Sequence, residues 1–353
     1  MTSPATGPVT STVTTTGTRA AAFAAALERH QIALYLAAIA VGALLSAVPG
    51  AAAAEAAVTP VLGLLLFATF LGVPLISLGR AFRDLRFLAA VGVLNFVVVP
   101  AVAFGLSRFV AADDALVVGV LLVLLTPCVD YVIVFSGIAG GASERLLAAA
   151  PLLMLAQLLL LPLYLPLFTG PALIDLIDPA PFAQALVFLI LLPLGAAALV
   201  QWGVRRAPRL HVVQSSAQTA MVPLLMATLL LVVASQLHAV LGSLGALAGV
   251  VPIYAAFLVV MVPLGMAAAR VARLDVPASR ALVFSGGTRN SLVVLALALP
   301  LSGSLALVPL VVVTQTLVEL VGLLVLIRLT PRILPDALPG GPSSGRRARS
   351  RDR

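Results

Sequence analysis

Residues 121–137 read LLVLLTPCVDYVIVFSG. The stretch is apolar enough for a lipid-spanning helix, yet Pro127, Cys128 and Asp130 interrupt it halfway along. Pro127 has no N–H to donate and disfavours helical geometry at Thr126, so a helix here must break or kink. A second stretch, residues 281–300, reads ALVFSGGTRNSLVVLALALP. Gly286-Gly287 loosens that helix, and Thr288, Arg289, Asn290 and Ser291 follow at once. Ionisable groups at membrane depth cost a few kcal/mol or more, so each needs a reason to be there.

Outward from these two stretches the chain is built of apolar runs of membrane length, at about 31–49, 57–79, 86–108, 115–139, 146–168, 182–202, 218–240, 246–269, 279–300 and 304–328. A run of about 20 residues crosses roughly 30 Å of hydrocarbon as a helix. Backbone groups in lipid must be satisfied internally, and the short alternating strands of a barrel are missing, so the runs are read as helices. Of the 353 residues, 61% are hydrophobic and 10% charged, with a mean hydropathy of +1.17. A soluble domain carries roughly 25% charged residues. The fold class is therefore all-α: a polytopic membrane protein of ten transmembrane helices whose partner is the lipid bilayer.

The net charge of +8 would point to nucleic acid in a soluble protein. Here all 21 basic residues are Arg, and nearly all lie between the runs, where they set topology. They fall before the first run, between runs 2–3, 4–5, 6–7 and 8–9, and after the tenth. The opposite loops hold only Arg108, and Arg289 lies inside the ninth run. This bias places both termini in the cytoplasm of a plasma-membrane (inner-membrane) protein and leaves no role for nucleic acid. Residues 1–30, rich in Thr, Ser, Ala and Gly, read as a disordered tail. Residues 31–333 form the membrane domain, and 334–353 an Arg-rich tail. With a single cysteine, Cys128, there is no intrachain disulfide framework.

A shift of about 160 residues superposes the second, third and fifth runs on the seventh, eighth and tenth, which divides the domain into repeats at about 31–170 and 180–330. Five helices per repeat is an odd number, so the second repeat is inverted. The two interruptions also correspond: Cys128 matches Thr288, and Asp130 matches Asn290. Matched broken helices in two halves are the sequence pointer to a midplane substrate site. Asp130 either pairs with Arg289 or serves in ion coupling or substrate contact. Arg289 either holds an anionic substrate or neutralises Asp130. Glu319 in the tenth run, with Gln315 one turn earlier on the same face, lines a polar seam or binds an ion directly. Asn95 and Gln157 read as hydrogen-bonding links between helices, and Gly137 and Gly141 as a tight helix end. No His pair stands at metal-ligand spacing and no nucleophile–base set is visible, so a carrier is expected rather than an enzyme.

The run TPCVDYVIVFSGIAGG, residues 126–141, resembles the fourth-helix motif of the arsenite efflux permeases of arsenic resistance. SGGTRNSLVVLALALP, residues 285–300, looks like the ninth-helix motif of the wider bile acid:sodium symporter superfamily that includes them. LVELVGLLVLIRL, residues 317–329, is similar to the permeases' final helix. The resemblance implies ten helices in two inverted five-helix repeats, with the fourth and ninth broken and crossing near the midplane. It carries the substrate thiol of the permeases over to Cys128, as the ligand of a metalloid. The family's ninth-helix Glu has no counterpart, because this chain has Thr288-Arg289-Asn290-Ser291 there; Asp130 is the acid that stands in for it. Secondary active arsenite or antimonite efflux is the first expectation, since soft thiolates suit thiophilic cargo. The substrate would be held by Cys128, Thr288, Arg289, Asn290 and Ser291, with Asp130, Glu319 and Gln315 in ion coupling. The alternative is a sodium-coupled symporter of an organic anion. No cofactor is expected, and the coupling ion is H+ or Na+.

Overall fold

The computed structural model describes residues 30, 33–72, 84–129, 131–170, 186–204, 206–299, 301 and 303–335, and all regular elements among them are helical. The tails expected at either end lie outside these residues, save for His30 and the pair 334–335, and so does Asp130. In chain order the principal helices are α1 (Ala33–Leu45), α2 (Glu55–Gly72), α3 (Leu85–Val110), α4 (Asp114–Leu124), α5 (Tyr131–Ile138), α6 (Ser143–Thr169), α7 (Leu192–Val204), α8 (His211–Gly242), α9 (Val250–Val271), α10 (Val276–Gly287), α11 (Ser291–Ala298) and α12 (Val308–Ile333). Among the described residues six helical stretches are long and apolar enough to cross a membrane: α2, α3, α6, α8, α9 with the short turn before it, and α12 with the turn before it. Leu64, Val97, Leu159, Val259 and Val321 lie exposed along these helices. In water they would be a liability, and in lipid they are the expected outer surface. The chain is a multi-pass membrane protein.

Three helices, α3, α4 and α10, start at an aspartate that caps them. Asp84 accepts the Phe87 N–H at 3.1 Å, Asp113 that of Leu116 at 3.1 Å, and Asp275 that of Ala278 at 3.0 Å. Each satisfies one of the four donors that a helix N-terminus leaves orphaned. Asp275 also receives a two-pronged bond from Arg145, at 3.1 and 2.8 Å, and Arg145 lies 3.3 Å from Asp84. Arg280 reaches the carbonyls of Gly140 and Leu334. These contacts gather segments on the Arg-rich side of the sequence pattern (around 84, 140–145, 275–280 and 334) at one end of the molecule.

At that end α5 closes as the paired glycines suggested, though through Gly140 rather than Gly137. Gly140 takes φ +70°, and the Gly141 N–H bonds back to the Ser136 carbonyl at 2.8 Å. That is the left-handed helix stop that glycine favours.

Two departures from the sequence reading matter for the site. Gly286-Gly287 does not interrupt its helix, because α10 runs through both and stops after them. Their small size serves packing instead: a Cβ on Gly286 would fall 2.8 Å from Leu94 Cδ2 on α3. The neighbouring stretch of α3, Leu94–Val98, is wound as a π-turn, which nothing in the apolar run foretold. Such turns alter the register of side chains within a helix and recur at functional sites.

Candidate functional site

The break between α4 and α5 meets the break between α10 and α11. Pro127 and Arg289 face each other in an isolated antiparallel bridge. The Cys128 N–H donates to Thr288 O at 3.3 Å, and the Asn290 N–H donates to Thr126 O at 2.8 Å. Unwound backbone at membrane depth is tolerated only where its polar groups find partners, and here each break supplies them for the other.

Each break opens with a threonine that folds back on its own helix. Thr126 Oγ1 donates to Leu122 O at 3.3 Å and to Val123 O at 3.0 Å. Thr288 Oγ1 donates to Phe284 O at 2.9 Å. The carbonyls left over at the ends of α4 and α10 go to one side chain. Arg289 Nη1 donates to Leu124 O at 3.2 Å, while Nη2 lies 2.7 Å from Ser285 O, 2.9 Å from Gly286 O and 2.9 Å from Asn95 Oδ1. Arg289 is 0% exposed, and its guanidinium lies 5.4 Å from the Phe257 ring centre. A helix C-terminus carries roughly half a negative charge, so two of them together offset about one positive charge. That pairing is what makes a fully buried guanidinium tolerable here.

The other two half-helix ends meet a carboxylate. Glu319 Oε2 accepts the backbone N–H of Arg289 at 2.8 Å, just before α11 begins, and also accepts from Gln315 Nε2. Its Oε1 lies 2.7 Å from the hydroxyl of Tyr131, the first residue of α5. That hydroxyl also lies 2.9 Å from Arg289 O, so one hydroxyl hydrogen stands between two acceptors. Glu319 is the only buried acid among the described residues. Arginine at the two C-termini and glutamate at the two N-termini give each pair of half-helix ends its opposite charge.

Most residues singled out from the sequence come together here. Cys128, Thr288, Arg289, Asn290 and Ser291 line the paired breaks, and Gln315 and Glu319 abut them from α12; all are buried. Cys128 enters through its backbone N–H. Asn290 caps α11, its Oδ1 accepting from the Val293 N–H, while its Nδ2 finds no partner among the described residues, nor does Arg289 Nε. Asp130, for which pairing with Arg289 was one of the alternatives, lies outside the described residues; the guanidinium bonds described are all to neutral oxygens. Asn95 does link helices, donating to Ser285 Oγ at 2.9 Å, but it is also an acceptor for Arg289, a role the sequence reading missed. Tyr131 was missed as well, although a hydroxyl inside an apolar run is a visible signal. Gln157 is buried, but its Oε1 has no partner among the described residues.

In a comparison with protein families, the model described as the Sodium Bile acid symporter family matches residues 59–244, more than half of the chain, covering the first break and ending before the second. No curated protein matches the chain.

Proposed function

The chain belongs to the Sodium Bile acid symporter family, whose members are membrane transporters and not enzymes, and from that premise we propose that it is a secondary active carrier of a small anion, held where the two broken helices meet. The observation that carries this reading is the meeting of two half-helix N-termini, those of α5 and α11, at the buried Glu319 carboxylate, with the N-cap of α11, Asn290, leaving its Nδ2 donor unpartnered among the described residues. Helix N-termini present free N–H groups and a positive dipole end, which suit an oxygen-rich anion. Substrate contacts fall to Asn290, Ser291, Thr288 and Arg289. The site is buried on all sides, so loading it requires the surrounding elements to move, as alternating access demands. In this reading the domain is two inverted repeats, about 31–170 and 180–330, that rock about the paired breaks in a plasma membrane with both termini cytoplasmic.

Glu319 supplies the coupling step. An anion brought beside a buried carboxylate is repelled, and protonation of Glu319 removes that repulsion, so proton and anion bind together. Gln315 and Tyr131 hold the carboxyl in place. Asp130, the other acid proposed for ion coupling, lies outside the described residues. The test is counterflow in proteoliposomes: vesicles loaded with unlabelled taurocholate or a short carboxylate are assayed for exchange with the labelled form. Exchange above that of empty vesicles for either anion is expected, and its absence for both would sink the anion reading.

Metalloid efflux through Cys128 is the second reading, favoured by the thiol residue's place in the bridge itself. A single soft ligand holds As(III) or Sb(III) weakly enough to release it. Its test is arsenite tolerance of a sensitised bacterial host, in which Cys128→Ser should lose the protection that wild type confers. Equal protection by both forms would remove the cysteine from the mechanism.

A further inference from the structure

We propose that the Arg289 guanidinium is a tethered replacement for a coupling cation, so that this protein works without sodium at the junction of its broken helices. The inference rests on the carrier reading above, but its observation is a separate one. Half-helix C-termini and unwound carbonyls are the groups with which carriers of this architecture coordinate a free cation. In this chain those groups are occupied by its own side chain.

The geometry around the guanidinium is that of a point charge rather than a fork. Three oxygens, from Ser285, Gly286 and Asn95, crowd the single atom Nη2 at 2.7–2.9 Å, although Nη2 has only two hydrogens to give. Nη1 adds Leu124 O, while Nε has no partner among the described residues. Arginine ordinarily earns its place by bidentate use of its planar donors. Here the acceptors outnumber the donors at one point and are missing at another. A cluster of neutral oxygens converging on one spot, drawn from two helix ends and one amide, is what a spherical cation with oxygen ligands asks for. Asn95 lies in the π-turn of α3, and its amide nitrogen donates to Val91 O and Ser285 Oγ while Oδ1 faces the guanidinium.

A fixed charge at this spot has a functional consequence. A free cation that must bind before the substrate links uptake to its own gradient. A tethered one is always bound, so the helix ends are neutralised in every state and no sodium ion is consumed.

The experiment compares purified full-length wild type, Arg289→Met and Arg289→Met/Asn95→Ala in sodium chloride and in choline chloride at equal ionic strength, reading thermal unfolding and binding of radiolabelled sodium. Wild type should melt at the same temperature in both salts and bind no sodium saturably. Arg289→Met should melt lower in choline, recover with a saturable rise in sodium, and bind sodium; removing Asn95 as well should weaken that recovery several-fold. A purely structural arginine would leave the variant equally destabilised in both salts, and that result overturns the proposal. Saturable sodium binding by wild type overturns it too, and this arm decides the matter if neither variant can be purified. Neither readout needs a transported substrate, so failure of the anion counterflow would count against the carrier reading alone.

Discussion

Glu319 accepts from Tyr131, from the Arg289 N–H and from Gln315, and these are the groups that face it from α5, from the second break and from its own helix. Because one hydroxyl hydrogen on Tyr131 serves two acceptors, a proton on Glu319 Oε1 would complete the set: the carboxyl would donate to Tyr131, and Tyr131 to Arg289 O. The prediction belongs to this residue. In Glu319→Gln the side chain keeps its size but cannot change protonation. An imposed proton gradient, acid on the substrate side, should speed anion uptake by wild type and leave the variant's uptake unchanged. Equal stimulation of both would take the coupling proton away from Glu319. Arg289, Cys128 and Glu319 were legible in the sequence because a polar group in an apolar run costs enough to be noticed. The partners of Arg289 were not. Two of its four acceptors, Leu124 O and Asn95 Oδ1, lie 165 and 194 positions away, and no local pattern encodes such contacts.

At the scale of the elements, the first break was readable because proline acts through its own ring, whatever surrounds it. In the second, the break falls at Thr288–Asn290 as read, but the loosening assigned to Gly286-Gly287 does not occur, because a glycine pair has two uses and only the fold decides between them. α10 passes through Gly286-Gly287, and the small size of Gly286 allows its close contact with α3. The same economy operates where α4 meets α12. A Cβ on Gly119 would lie 2.7 Å from Val311 Cβ, a branched side chain with no room to retreat. Gly119→Val should therefore destabilise the folded protein by about 1–3 kcal/mol, as overpacking of a filled core does, and denaturant titration in micelles measures it. The start of α10 separates capping from charge. Arg145 and Asp275 are 36% and 53% exposed, so their ion pair contributes little, below about 1 kcal/mol. Asp275→Asn keeps an acceptor for the Ala278 N–H and should cost no more than that. Asp275→Ala removes the cap as well and should cost about 1 kcal/mol beyond it. If the two variants melt together, the cap contributes nothing.

For the whole molecule, hydropathy decided the class, since no soluble fold can cover this much apolar surface, while the Arg bias assigned the sides. The contacts at one end are consistent with that assignment: Arg145 joins Asp84 and Asp275, and Arg280 joins Gly140 to Leu334, all from segments on the Arg-rich side. We propose, from the positive-inside bias, that this end faces the cytoplasm. The chain lends itself to the measurement because its single cysteine, Cys128, is buried. In a Cys128→Ser background, Glu144→Cys places a thiol at the Arg-rich end and Ala112→Cys one in the turn after α3; both native side chains are exposed. A membrane-impermeant maleimide applied to intact cells should label the Ala112→Cys protein. It should label the Glu144→Cys protein only once the cells are opened. The reverse pattern would invert the molecule in the membrane, and with it the direction in which a proton bound at Glu319 moves. Labelling of both from outside would place the two ends on one side, and no odd-numbered repeat, inverted or otherwise, would survive that.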